Sequence, residues 1–240
     1  MHKMVELERE APKWDRGAAK LGEKHRVFCG SMCDWAEGRS DQRPSLDRLF
    51  PLIERTTNLN WLLLTKRPNI GTRLLAEYWE QIPRNVWVGT TIENQEWADK
   101  RLPHLLSIDA SVRFVSVEPQ LGAVDLRAHL GQGSGKINWV ICGGESGAKA
   151  RGRQEMLGWY RSLRDQCVEA GVSYFFKQWG RFAQEGEQIY KLRGKNPDNI
   201  LDGLRWEQYP DAPTEPKPGI RTRPRTHLDV LLSDEFDSVA

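Results

Sequence analysis

The sequence predicts an α/β fold, a parallel and incomplete TIM-like (β/α) barrel of about six βα units. Three observations predict it. Six apolar, β-rich runs recur: RVFCG (26–30), WLLLT (61–65), VWVGTTI (86–92), VRFVSV (112–117), INWVICG (137–143) and VSYFFK (172–177). They are continuous rather than alternating, as in strands buried on both faces of a parallel sheet. Most gaps between them carry helical signals, and strand–helix–strand repetition means βαβ units. At 240 residues the chain also has the length of a single α/β barrel.

The elements follow in order. Residues 1–25 are an N-terminal extension, and MHKMVELEREAPKWDRG is too charged for a signal peptide. The first strand ends in FCGSMCDW, which holds two of the four cysteines. Pro44-Ser45 opens a helix with Leu46, Leu49, Leu52 and Ile53 at helical spacing. Asn94 is an N-cap, with Glu96 in the first turn and Trp97, Leu102 and Leu105 behind it. Leu157, Tyr160, Leu163 and Cys167 form another stripe, and Gly171 stands where a helix-ending glycine would. The barrel portion therefore spans 26–180. Residues 181–209 read as a C-terminal subdomain, a short hairpin or loops. Residues 210–240 read as a proline-rich extended tail, with Val230, Leu231 and Leu232 as its one apolar docking segment.

Composition narrows the function. Charged residues are 28% and the net charge is +2, which is not the balance of a nucleic-acid coat. The sequence has no apolar run of transmembrane length, so a cytoplasmic protein without a membrane partner is expected. Four scattered cysteines do not make a secreted disulfide scaffold. The histidines (2, 25, 104, 129 and 227) show no zinc-ligand spacing.

Polar residues gather where the apolar runs end. They are Ser31 and Asp34; Thr65, Lys66 and Arg67; Glu93 and Asn94; Glu118; Gly143, Gly144, Glu145 and Ser146; Lys177 and Gln178. The C-terminal ends of parallel strands carry the sites of α/β folds. Taken singly, each residue reads better as a cap or a loop-solvating group. The shared position is what makes a site. In ICGGESGAKARGR (141–153), paired glycines followed by Lys149, Arg151 and Arg153 suit an anion, or else a loop with a solvated basic face. TKR (65–67) would pair with Glu93 and Glu118 or bind a substrate anion. Proline after Glu118 keeps that carboxylate on extended backbone. GQGSGK (131–136) lacks the first Walker glycine and precedes a strand. No histidine stands at a strand end, so no Ser-His-Asp or Cys-His pair arises.

Eight motifs in fixed order (SMCDWAE, LLLTKRP, VWVGTTIEN, RFVSVEPQLG, WVICGGESGAKAR, LRDQC, FFKQWG and LDGLRW) resemble a phage and prophage protein family of unknown function. That family looks like a divergent branch of the radical S-adenosylmethionine barrels. The resemblance runs from about Arg26 to Pro210 and implies a partial (β/α) barrel with ligand sites at the strand ends. It also implies a three-cysteine loop holding a [4Fe–4S] cluster, S-adenosylmethionine as cofactor, and a three-Cys-motif partner protein. Here the sequence departs from the pattern. No cysteine precedes Cys29, and after Cys29 and Cys33 the next position of C-x-x-x-C-x-x-C is Ala36. The cluster loop is thus expected to be absent, as in a truncated or wrongly started member.

Three readings of function remain. In the first, the chain is a radical S-adenosylmethionine-like enzyme without its cluster, with Glu93, Asn94, Glu145 and Ser146 holding the ribose and amino-acid parts of the cofactor. In the second, it is a cluster-free module binding a nucleotide or a partner protein, with nucleic acid as a further partner to be expected. In the third, it is a metal-independent enzyme acting on a phosphorylated substrate through Lys66, Arg67 and Arg151.

Overall fold

The computed structural model describes residues 2–29, 34–192, 199–210 and 217–218. In chain order the elements are α1 (His2–Leu21), β1 (His25–Cys29), a 3-10 turn (Ser40–Gln42), α2 (Arg43–Arg55), β2 (Leu59–Thr65), α3 (Pro68–Tyr78), β3 (Val86–Thr91), α4 (Gln95–Leu106), β4 (Val112–Val117), β5 (Trp139–Gly143), α5 (Met156–Glu169) and β6 (Ser173–Gln178). Five short strands follow: β7 (Phe182–Glu185), β8 (Gln188–Lys191), β9 (Ile200–Leu201), β10 (Leu204–Arg205) and β11 (Lys217–Pro218). All six apolar runs are strands of one sheet, in the order β1-β2-β3-β4-β5-β6. β1/β2, β2/β3 and β5/β6 pair in parallel. Sequential order, with a helix in every connection but the one from β4 to β5, is the topology of a (β/α) barrel wound in one direction, here incomplete.

The described residues divide into two compact units. The first is Met1–Thr91, Asp99–Val115 and Gly133–Ile137. Every residue of β2 and β3 is buried there, which explains their unbroken apolar runs. The α2 stripe predicted from Leu46, Leu49, Leu52 and Ile53 is buried, and Phe50 joins it, stacking 4.6 Å from Trp79. Two helices escaped the sequence reading. In α1, Met4, Ala11 and Ala18 are buried at a seven-residue spacing, but charges and Pro12 obscure the stripe. In α3, Pro68 pre-sets the first turn, while Gly71 sits 3.1 Å from Trp35 at the position of a missing Cβ. The buried Arg113 is satisfied by four backbone carbonyls: Lys136, Ile108, Ala110 and Gly133.

The second unit is Ile92–Ala98, Ser116–Gln132 and Asn138–Ala240. The α5 stripe is buried as predicted, and Gly171 takes φ +63 at its end. β7 and β8 form a hairpin, one of the alternatives left open by the sequence, and Gln184 from β7 accepts the Leu157 N–H at the start of α5 (3.0 Å). Residues 206–208 bond the side of β6 away from β5: Phe176 N–H donates to Trp206 O (2.8 Å) and Gln208 N–H to Tyr174 O (3.2 Å). Asp202, at φ 54, fastens this segment to α5 through Arg161 and Arg164. Of the predicted tail, Lys217–Pro218 pairs antiparallel with β10. Val230, Leu231 and Leu232 lie outside the described residues.

Candidate functional site

Strand parity decides what each strand-end residue faces. In β2 alternate residues share a side, and Thr65 faces α3, its methyl 3.7 Å from where a Gly71 Cβ would stand. Leu63 shares that side with Thr65, and Cys29 is its register partner. Asp34 therefore works as a lock on the helix side. Its carboxylate accepts from Ala36 N–H (3.0 Å), Thr65 Oγ1 (2.6 Å), Lys66 N–H (3.1 Å) and Arg67 Nη1 (2.8 Å). The Thr65 hydroxyl also receives Arg67 N–H at 2.9 Å. So Arg67 pairs with Asp34 in the loop after β1, and Lys66 contributes its backbone N–H. Ser31 and Cys33 lie outside the described residues.

In the second unit the parity is reversed. Phe176 and Tyr174 face α5, with Phe176 5.2 Å from Tyr160 and the Tyr174 hydroxyl donating to Tyr160 O. Cys142, register partner of Phe176, shares that side. Lys177 therefore projects from the opposite side, and it meets Glu118 there: Nζ is 3.4 Å from Oε1 and 3.5 Å from Oε2. Ser116, two residues before Glu118, donates to Oε2 at 3.1 Å. Gly143 makes room for the carboxylate, since a Cβ would stand 2.6 Å from Oε1. The Glu118 side chain is 15% exposed and that of Lys177 52%. Burial pushes the Glu118 carboxyl above the usual range, and Lys177 and Ser116 pull it partly back. A nearly buried carboxyl at a strand end, held by long contacts to a half-solvated lysine, is chemically available in a way that Asp34 is not. Sequence reasoning missed Ser116. Its signal was the period of two back from Glu118.

The 143–153 loop is tightly used. Gly144 N–H donates to Gln178 O (2.9 Å), and a Gly144 Cβ would stand 1.8 Å from Trp179 O. These glycines thus serve close packing between strand ends. Glu145 organises the loop by accepting from Arg151 N–H (3.2 Å) and Arg153 Nη1 (3.0 Å). Arg151 and Arg153 line a small pocket of about 10 Å³ with Gln120, Glu145, Tyr160 and Trp179, room for one water. Arg153 was named from sequence only as an anion-binding candidate of this loop, and Gln120 was not singled out. Ser146 is exposed. Asn94 caps α4, its Oδ1 accepting Trp97 N–H at 3.1 Å. Glu93 is buried, and its carbonyl accepts Leu121 N–H at 2.7 Å.

The iron–sulfur cluster implied by the resemblance needs several thiolates presented together. Cys29 lies on the α3 side of its unit. Cys142 is fully buried, its thiol donates to Gln120 Oε1 (3.2 Å), and burial pushes its pKa up. Cys167 is likewise buried and pushed up. Among the described residues no group of three His, Cys, Asp or Glu is placed to hold a metal ion. The described residues do not fit a cluster. Among them, too, no helix is long and apolar enough to cross a membrane.

No curated protein and no solved structure matches the chain. A family model described as "Protein of unknown function (DUF5131)" matches residues 3–210, and the chain belongs to that family.

Proposed function

We propose that the chain is a ligand-binding barrel of the radical S-adenosylmethionine type, and that unaided it acts as a cluster-free module for S-adenosylmethionine. One observation carries the reading: Glu118, Gly143 and Lys177 form a nearly buried, loosely compensated charged site at the C-terminal strand ends. That is where parallel barrels bind ligands. Glu118, Gly143 and Ser116 would hold the cofactor, which supplies a sulfonium group and an amino-acid end carrying both charges. The eight ordered motifs support the radical S-adenosylmethionine kinship, and with it the phage or prophage setting, a cytoplasmic location and a three-Cys-motif partner protein.

Isothermal calorimetry of the whole chain with S-adenosylmethionine and S-adenosylhomocysteine tests the reading. Saturable heat with a dissociation constant at or below about 1 mM is expected, roughly the 4 kcal/mol that a few polar contacts supply. No heat at millimolar ligand overturns it.

A further inference from the structure

We infer that Glu118 is the receptor for a ligand ammonium group, and that Lys177 is an internal competitor which the ligand displaces. The inference rests on the reading above and names the chemical group that this site selects.

The Glu118 carboxylate is incompletely hydrogen-bonded. Ammonium–carboxylate bonds close to about 2.7–2.9 Å when nothing prevents it. The two Lys177–Glu118 contacts are 3.4 and 3.5 Å. Lys177 is half in water, so its ammonium keeps much of its hydration and leaves at small cost. Glu118 has no such freedom. Its stem leaves the end of β4, its Oε2 is tied to the Ser116 hydroxyl, and its carboxylate rests where a Gly143 side chain would be. A carboxylate has about four acceptor positions. Here one hydroxyl at 3.1 Å is matched with one loose cation. A fixed, nearly buried carboxylate beside a mobile cation is a seat for a second cation that binds closer. A primary ammonium attached to an apolar or heterocyclic body fits, because the body replaces water around the carboxylate while the charge is neutralised.

A consequence follows that a merely structural ion pair does not share: removing the lysine strengthens binding. In calorimetric titrations S-adenosylhomocysteine should bind Lys177→Met about tenfold more tightly than wild type and Glu118→Gln at least tenfold more weakly, the scale of one charged hydrogen bond. 5′-Methylthioadenosine, which has no amino-acid end, should bind all three alike. Equal or weaker binding of S-adenosylhomocysteine to a folded Lys177→Met, or the same pattern with 5′-methylthioadenosine, overturns the inference. If Lys177→Met does not fold, wild type labelled at the lysine ε-carbons serves instead. The Lys177 signal should move toward that of a solvated lysine as S-adenosylhomocysteine is added, and a stationary signal overturns the inference. Carbon NMR of the Glu118 carboxyl with n-butylamine separates the two claims. A Glu118 shift without any heat from the adenosyl ligands defeats the S-adenosylmethionine reading and leaves the ammonium seat standing. No shift defeats the seat.

Discussion

Two strand ends place a carboxylate after an apolar run and use it in opposite ways. Asp34, beside the end of β2, accepts four hydrogen bonds of 2.6–3.1 Å on the side that faces α3. Glu118, at the end of β4, accepts one of 3.1 Å and a loose ion pair on the side away from α5. The first carboxylate is consumed in fixing a loop, whereas the second keeps capacity for something else. A polar residue at a strand end is thus only a candidate. Which side its parity selects, and how many donors reach it there, separates a lock from a seat.

The largest expected effect tests the packing beneath the second site. Gly144→Ala drives a methyl against the Trp179 carbonyl, 1.8 Å from the ideal Cβ. A loss of about 3 kcal/mol or more in urea unfolding is expected, since backbone must move. A loss under 1 kcal/mol would show that the turn is looser than described.

Asp34→Ala comes next. It strands the donors of Thr65, Lys66 and Arg67, and about 2–3 kcal/mol of stability should disappear, with ligand affinity unchanged. A drop in affinity at equal fold would turn the lock into a part of the site.

Glu118→Gln should behave oppositely, costing little stability and most of the affinity. The sign follows from its raised pKa. The folded state favours the protonated carboxyl, so this group's contribution is present below the unfolded pKa and lost as pH rises through the folded one. The variant should therefore match wild type near pH 4 and equal or exceed it by up to about 1 kcal/mol near pH 8, where a buried charge has been removed. A variant less stable than wild type near pH 8 contradicts the account.

Asp202→Asn has the smallest expected effect, about 1 kcal/mol for a partly exposed ion cluster. Its carboxyl is held low chiefly by the hydrogen bond from Arg161, with Arg164 assisting against burial. Its contribution is therefore present above the unfolded pKa and fades as pH falls through the folded one. The hydrogen-exchange protection factor at Phe176, whose amide is bonded by the 206–208 segment, should fall in the variant, and in wild type at acid pH.

The six strands were legible because burial on both faces leaves an unbroken apolar run, and that same property hid the parity. WLLLT gives no sign of which side Thr65 takes, since Leu62, Leu63 and Leu64 are all buried. Asn94 was legible as a cap because its chemistry is local and needs no tertiary information. The α1 helix was not legible, since its buried positions are seven apart among charges. Glu118 was placed correctly at a strand end, but its value lies in Gly143 and Lys177 on neighbouring strands. Only register brings those together.

The central claim is that ligand enters at Glu118, Gly143 and Lys177 and not at the Asp34 lock. Amide NMR of the whole chain during titration with S-adenosylhomocysteine tests it most directly. The account predicts saturable shifts at Ser116, Glu118, Gly143 and Lys177, with Ala36, Thr65 and Arg67 unmoved. Shifts centred on Ala36, Thr65 and Arg67, or none at millimolar ligand, would contradict it.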